Sequence, residues 1–582
     1  MATTSGSNSV ALDSLSARRY PLITYRGILS AVSAFAVLVL SWRFAEIRLG
    51  VLFRPATATA IWNFARQLFP PDLSPEFLRT ALRAVAQTMG TAVAGTMLSL
   101  IVALPLGVLA TGTLWNRGVL VAADNRFAYG AGWIASRLAR TVLGFLRAVP
   151  DLVWALLFVA AVGLGSLAGT LALAVAYSGV LGRVYADVFE HVDPQPLEAL
   201  QSTGATRMQI FLRGVWPQAR PHLTAYTLYS FECCVRAAAV LGFVGAGGIG
   251  YEISVSMRLF EYGQVLTLLL IFIVLLTVTD AASRYLRTRS VSRATNATEI
   301  RVEGRSSLRS LTNKSRKLIG WMAILLLMVT SFALAGFTPE TLTQAGVAGR
   351  LTDFVRRMFP LDLSWAFLSS LGTALLQTIA ISLLGTLIGT ALAVMLAVPA
   401  TSTLTFVRSD SPGKRRVTGR ALRWLLFCSA RLVLNVLRSI PELVWVLICI
   451  LAVGIGPFAG TIALGLHTAG VLGKLYAETM EEVPLRPIEA LRSLGAGPVQ
   501  VLLWAIWPQA RPLLSSYTVL RWETNLRAST ILGLVGGGGL GQAIYNNVQL
   551  GFYPRLTTLI LLIYALVLAS DWIGERLRLK VA

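Results

Sequence analysis

Leu197-Glu-Ala-Leu-Gln-Ser-Thr-Gly-Ala-Thr206, running on to Val215-Trp-Pro-Gln-Ala-Arg-Pro221, returns 291 positions later. The second copy reads Ile488-Glu-Ala-Leu-Arg-Ser-Leu-Gly-Ala-Gly497, running on to Ile506-Trp-Pro-Gln-Ala-Arg-Pro512. Both copies lie between apolar blocks but are too polar to sit in lipid themselves. Each reads as two short helices joined at a glycine, with Gly204 and Gly495 giving the backbone freedom for a sharp bend. Thr206 and Gly497 fall at the N-cap of the second helix, and Pro498 suits its first turn. One copy alone would also suit an amphipathic interfacial helix with an incidental Glu. Two copies, each followed by Trp-Pro-Gln-Ala-Arg-Pro, mark a duplicated device.

The duplication extends along the chain. Leu68-Phe-Pro-Pro-Asp-Leu-Ser74 recurs as Met358-Phe-Pro-Leu-Asp-Leu-Ser364, Gln87-Thr88 as Gln377-Thr378, and Gly95-Thr96 as Gly385-Thr386. Arg147-Ala-Val-Pro-Asp-Leu-Val-Trp154 recurs as Arg438-Ser-Ile-Pro-Glu-Leu-Val-Trp445. The register slips by one residue in between, as expected of a true internal repeat. Each half carries six apolar spans, at about 24–44, 82–112, 133–163, 167–190, 218–243 and 262–286, then about 317–337, 372–402, 427–454, 458–483, 509–534 and 553–577. An even number brings both halves in from the same side, so the repeat is parallel rather than inverted. The expected organisation is a first half at 1–286, a basic linker at 287–316 and a second half at 317–582.

Composition supports this reading. The chain has 582 residues, 55% hydrophobic and 14% charged, with mean hydropathy +0.66. A soluble domain needs roughly a quarter of its residues charged, whereas these apolar blocks are long enough to cross about 30 Å of hydrocarbon. The fold class is an all-α polytopic membrane protein of two parallel six-helix halves. Net charge is +23, but it is concentrated between spans. Residues 284–317 hold ten Lys or Arg against two Glu, and residues 408–431 hold seven against one Asp. The positive-inside rule places such loops in the cytoplasm, together with both termini, facing anionic lipid headgroups rather than nucleic acid. The linker, rich in Ser, Thr and Arg, reads as a flexible tether, and its Asn296-Ala-Thr298 sequon has no meaning on a cytoplasmic loop. The apolar block at 28–40, behind Arg18, Arg19 and Arg26, has the look of a signal peptide. A similar block recurs at 318–337 in mid-chain, so both are read as transmembrane helices. Cys233, Cys234, Cys428 and Cys449 have no redox or zinc spacing and read as buried, inert thiols. His191, His222 and His467 have no spacing for a metal site, and no paired catalytic carboxylates stand out.

The duplicated loop resembles the EAA loop of ABC-importer permeases, in which Glu-Ala-Ala, three residues, Gly, and a Pro thirteen further on form helices that dock in a groove of the ATPase subunit. Glu198, Ala199, Gly204 and Pro217 match that spacing, as do Glu489, Ala490, Gly495 and Pro508. Leu200 and Leu491 replace the third residue, and Gly214 and Ala505 stand where the pattern prefers Ile. The glycine-rich stretch after each fifth span narrows the resemblance. Glu523-Thr-Asn-Leu-Arg-Ala-Ser-Thr-Ile-Leu-Gly533, with Val535-Gly-Gly-Gly-Gly-Leu-Gly541, is similar to the phosphonate-type permease family. The first half departs from it, with Cys234 in place of Asn and Ala238-Ala239 in place of Ser-Thr, so the halves are expected to contribute unequally.

Glu232 with Arg236, and Glu523 with Arg527, are ionisable residues in otherwise apolar spans, which normally face the bundle or an aqueous cavity. At i, i+4 spacing each pair can neutralise itself on one helix face. Two readings are open: a structural salt bridge holding the halves together, or arginines that line an anion route as well. Arginine's fork of donors suits a tetrahedral oxyanion, and Asn525 and Ser529 lie on the same candidate pathway. Arg147 with Asp151, and Arg438 with Glu442, form second pairs at the same spacing. Pro150 and Pro441 break the helix between them, and these residues read as supports of a kinked helix.

The chain contains no Gly-x-x-x-x-Gly-Lys-Ser/Thr phosphate loop; Gly470-Val-Leu-Gly-Lys474 has the wrong spacing. It is therefore read as a transport subunit with no ATPase site or cofactor of its own. The resemblance implies two ABC ATPase subunits that bind ATP and Mg, an extracytoplasmic substrate-binding protein, and a multi-pass place in the bacterial inner membrane. The expected solute is a phosphonate- or phosphate-like oxyanion. The alternatives are a methionine-type or other small-solute permease and, in another class, a 6+6 ion-coupled secondary transporter with no use for duplicated loops.

Overall fold

The repeat read in the sequence is a repeat of helices. The computed structural model describes residues 25–115, 126–299, 322, 325–337, 346–405 and 415–581. In the first half α1 spans Tyr25–Phe44, α2 Pro55–Gln67, α3 Pro75–Ala110, α4 Arg126–Ala148, α5 Asp151–Val162 and α6 Ser166–Glu190. They are followed by α7 at Gln195–Ser202, α8 at Trp216–Leu241, α9 at Ile249–Arg258 and α10 at Tyr262–Glu299. The second half repeats the series from α2 onward: α11 Gly346–Met358, α12 Trp365–Ala400, α13 Arg415–Ser439, α14 Glu442–Val453, α15 Pro457–Glu481, α16 Leu485–Ser493, α17 Trp507–Leu532, α18 Gly539–Gln549 and α19 Tyr553–Val581. A shorter apolar helix, Leu325–Leu334, stands where α1 would repeat. Among the described residues, seven helices are long and apolar enough to cross a membrane, or nine when each bent pair is taken as one span. The chain is a multi-pass membrane protein.

The third expected span of each half is sharply bent rather than continuous. Helix α4 from Gly132 meets α5 at 86°, and α13 from Ala421 meets α14 at 98°. The breaks fall at Pro150 and Pro441, which lack an N–H and push the preceding residue out of the helical region. Outside the expected spans, the stretches between spans five and six form α9 and α18, and those between spans one and two contain α2 and α11. Helix α10 also runs past the expected boundary at 286 to Glu299, so residues 287–299 of the expected tether are helical; residues 300–316 lie outside the described residues. Cys234 and Cys449 are buried as expected, whereas Cys233 and Cys428 are only half-buried.

In each half the long pair α3–α6, or α12–α15, forms the most extensive contact. Small residues allow the close approach, as between membrane helices generally. A Cβ on Gly95 would lie 2.8 Å from Leu173, and one on Gly389 would lie 2.6 Å from Thr468. The halves interlock through their first helices. Helix α1 packs on α12, seating Ala45 against Ala380 and Leu384. In return, the 325–334 helix lies on α3, where a Cβ on Gly90 would meet Leu334 at 2.7 Å. One hydrophobic core runs through both halves, from Ala81 and Leu152 to Leu443 and Ile563.

Candidate functional site

The duplicated loops sit at the end of α6 and of α15. Each first helix closes on its glycine in a Schellman turn: Gly204 N–H donates to Gln201 O (2.9 Å) and Ala205 N–H to Leu200 O (3.3 Å). In the second copy Gly495 N–H donates to Arg492 O (2.9 Å) and Ala496 N–H to Leu491 O (3.1 Å). Both glycines are left-handed, at φ 76° and 81°, as the motif requires. Thr206 caps the second helix of its loop in a reciprocal box, its N–H donating to Gln209 Oε1 at 2.8 Å and its hydroxyl accepting from Gln209 N–H at 3.4 Å. In the other half Gly497 N–H donates to Gln500 Oε1 (2.8 Å).

The second helix of each loop is not a separate short element. It starts at Arg207, or at Pro498, and runs through one widened π-type turn, Phe211–Val215 or Leu502–Ile506, directly into α8 or α17. Pro217 and Pro508 explain the widening: proline has no N–H to donate and its ring crowds the carbonyl four residues back. The loop is thereby continuous with a core helix. One side of each loop is buried through Leu197 and Ile210, or Ile488 and Val501. Gly214 belongs to that packing, since a Cβ there would meet Leu197 at 2.5 Å. The other side exposes Met208 and Leu212 in the first copy, and Leu494, Val499, Leu503 and Trp504 in the second, beside exposed Glu198, Ala199, Glu489 and Ala490. Contiguous exposed apolar side chains of this kind mark an interaction surface.

Within the bundle, the four expected i, i+4 pairs do not form; Glu232, Glu523 and Glu442 are matched across helices instead, and Asp151 caps the start of its own helix. Glu232 pairs with Arg287 (3.5 Å) and Glu523 with Arg578 (2.5 Å), both between the fifth and sixth spans. Glu442 faces His467 Nε2 at 3.4 Å, and Asp151 accepts Leu152 N–H at 2.9 Å. Asp571 bridges the halves, taking Arg527 of its own half (2.6 Å) and Arg147 of the other (3.0 Å). The pseudo-symmetric trio of Arg236, Asp280 and Arg438 does not assemble. Arg236 is exposed and makes no ion pair among the described residues, while Asp280 Oδ1 and Arg438 Nε are buried without a hydrogen-bond partner. Arg236 lies near enough to act on Glu232 and Cys233 of its own half and on Glu442 and His467 of the other. Arg521 lies within reach of the latter two residues, with its Nε buried and unpartnered.

Asn525 and Ser529 are wholly buried. Asn525 Nδ2 donates to Thr386 Oγ1 (2.8 Å) and Thr468 Oγ1 (2.9 Å), tying α17 to α12 and α15; Ser529 donates to Leu526 O (2.8 Å). These two residues therefore belong to helix packing rather than to an open passage.

The glycine-rich turns have a partner that the sequence displayed only as a landmark. Gln87 Oε1 and Thr88 Oγ1 accept the N–H groups of Gly248 (3.3 Å) and Ile249 (2.9 Å) at the start of α9. Gln377 and Thr378 do the same for Gly539 (3.2 Å) and Leu540 (2.8 Å) at α18. A helix start in mid-bundle has donors without intrahelical partners, and the repeated Gln-Thr supplies them from α3 or α12. The repetition of Gln-Thr in step with the glycine turns was the one available signal.

The family described as binding-protein-dependent transport system inner membrane component matches residues 117–291 and 417–582, once in each half. The phosphate-import permease protein of Mycolicibacterium smegmatis is 33% identical over 517 residues, covering 88% of each chain. A phosphite transport system permease protein of Stutzerimonas stutzeri is 36% identical over 228 residues, 39% of this chain and 77% of its own. Among solved structures, an inward-facing form of the MetNI methionine ABC transporter is 24% identical, with a TM-score of 0.32 over 38% of this chain and all of its own.

Proposed function

The chain belongs to the family of binding-protein-dependent transport system inner membrane components, and from that premise we propose that it carries small phosphorus oxyanions (phosphate, phosphite or a phosphonate) through the bacterial inner membrane. The observation that carries the solute class is likeness along nearly the whole length of both chains to a phosphate-import permease. That likeness spans both halves, so it favours an oxyanion over a methionine-type solute. An ion-coupled secondary transporter finds no support, because it gives the duplicated loops nothing to do.

Transport runs by docking and rotation. Two ATPase subunits, which bind ATP and Mg, seat the apolar faces around Met208 and Leu212, and around Val499 and Trp504. ATP-driven closure pushes on helices that continue unbroken into α8 and α17, and the bundle swings between its two openings. An extracytoplasmic binding protein delivers the solute at the far face, and both termini are cytoplasmic. Of Arg236 and Arg527, Arg236 is the one without a carboxylate partner among the described residues, and it supports an anion route facing Arg521 and His467. Arg527 is tied to Asp571 and acts in holding the halves together.

The test is uptake of labelled phosphate by cells with and without the chain, challenged by excess phosphite and methylphosphonate. Chain-dependent uptake suppressed by any of these anions supports the reading. Uptake indifferent to the chain, in cells stripped of other phosphate importers, overturns the oxyanion assignment.

A further inference from the structure

We propose that the first half holds one anionic phospholipid by its headgroup phosphate, in a cavity where α3 ends and α4 passes α6. The cavity measures about 420 Å³, within the range of small-molecule sites (roughly 300–1,000 Å³), and is lined by Gly112, Thr113, Trp133, Ser136, Arg137, Arg140 and Glu190. The carboxylate in it is already committed: Glu190 Oε1 accepts Gly112 N–H (2.6 Å) and pairs with Arg140. Arg140 also donates from Nε to Ala110 O (2.8 Å), closing the end of α3. Arg137 is the uncommitted cation. Its side chain makes no hydrogen bond or ion pair among the described residues and lies over the Trp133 ring, 5.5 Å from its centroid.

The surroundings identify a lipid rather than a free anion. Ile134, Leu138 and Val142 continue from Trp133 along α4 as an exposed apolar row, one helical turn apart, on which an acyl chain can lie. Trp with Arg at the head of such a row is the arrangement found at the membrane–water interface. The cavity lies at the α6 end from which the duplicated loop leaves, the side carrying the basic segments, where basic pockets between helices meet anionic headgroups.

The repeat supplies its own control. At the matching positions of α13, Trp424 and Arg431 recur, but Phe427 replaces Ser136 and Cys428 replaces Arg137. The Phe427 ring fills the space under Arg431, whose guanidinium lies 4.8 Å from it. The second half thus has the anchor pair Arg431–Glu481 (2.7 Å) without the uncommitted cation.

The full chain would be placed in nanodiscs of phosphatidylcholine, with and without phosphatidylglycerol, and its thermal midpoint and retained lipid measured by unfolding and native mass spectrometry. The wild type is expected to retain one phosphatidylglycerol and gain about 2 °C. Arg137→Gln and the repeat-swapped Ser136→Phe/Arg137→Cys should lose both effects, with Arg137→Lys intermediate. The Arg137 side chain is exposed and has no polar partner among the described residues, so Arg137→Gln is expected to leave the fold intact. Equal protection by inorganic phosphate in pure phosphatidylcholine would make this a free-anion site and overturn the lipid assignment. Retention of the lipid by both variants would overturn the site.

Discussion

Gly495 offers a clean way to ask whether the loop's bend, rather than its bulk, couples it to a partner. Its φ is +81° and a Cβ added there would meet nothing within 4 Å, and Gly204 is the same at +76°. Any cost of substitution is therefore backbone cost alone. An L-residue in the left-handed region gives up roughly 1–2 kcal/mol, a shift of about 5- to 30-fold in the population of the bent loop. Asn tolerates this region better than Ala although it is larger, and a β-branched residue tolerates it worst. Proline, fixed near −65°, cannot form the turn at all. Coupled uptake, and ATPase retained on purification, should fall in the order Gly, Asn, Ala, Val, Pro. Gly495→Pro and Gly204→Pro should abolish transport while the chain stays in the membrane. A series ordered by side-chain volume, with Ala above Asn, would refute the backbone argument, and normal uptake by both proline variants would refute the coupling assignment itself.

Thr378→Val, which keeps shape and removes the acceptor, leaves the buried Leu540 N–H unpaired; it should cost about 1–3 kcal/mol in unfolding titrations in detergent, and Thr88→Val should do the same at Ile249. Asp571→Asn removes a carboxylate shared by two partly exposed arginines of different halves. A loss between that of a surface pair and that of a buried one, about 1–3 kcal/mol, is expected, and the double variant with Arg147→Gln should be less than additive. Asp362 accepts Ser364 N–H (3.0 Å) and pairs with Arg555 (2.9 Å). The bonds from Ser364, then Arg555, hold its carboxyl down to about 2. A depressed carboxylate stabilises fully above its unfolded value and loses that contribution as pH falls through the folded one. Thermal midpoints should therefore drop between about pH 4 and pH 2 in the wild type, and less steeply in Asp362→Asn.

Whatever depends on a few consecutive residues can be read directly along the chain. Spans follow from apolar length, the bends at Pro150 and Pro441 from a missing N–H, and the loop turns from Gly204 and Gly495, because steric and hydrogen-bond rules of the backbone act within a turn or two. The duplication was legible for the same reason, as a pattern along one line. Which charges meet is set by how the helices pack. Glu523 sits four residues from Arg527 but pairs with Arg578, and Asp571 reaches across to Arg147. In a span where water is scarce, a carboxylate goes to the cation that helix rotation and neighbouring helices bring closest. The asymmetry of Arg236 and Arg527, identical in the repeat, arises in the same way. So does the exchange of first helices between the halves: a featureless apolar helix can pack on either partner, and the choice rests on small residues such as Gly90 and Ala380 that only the assembled bundle sets opposite it.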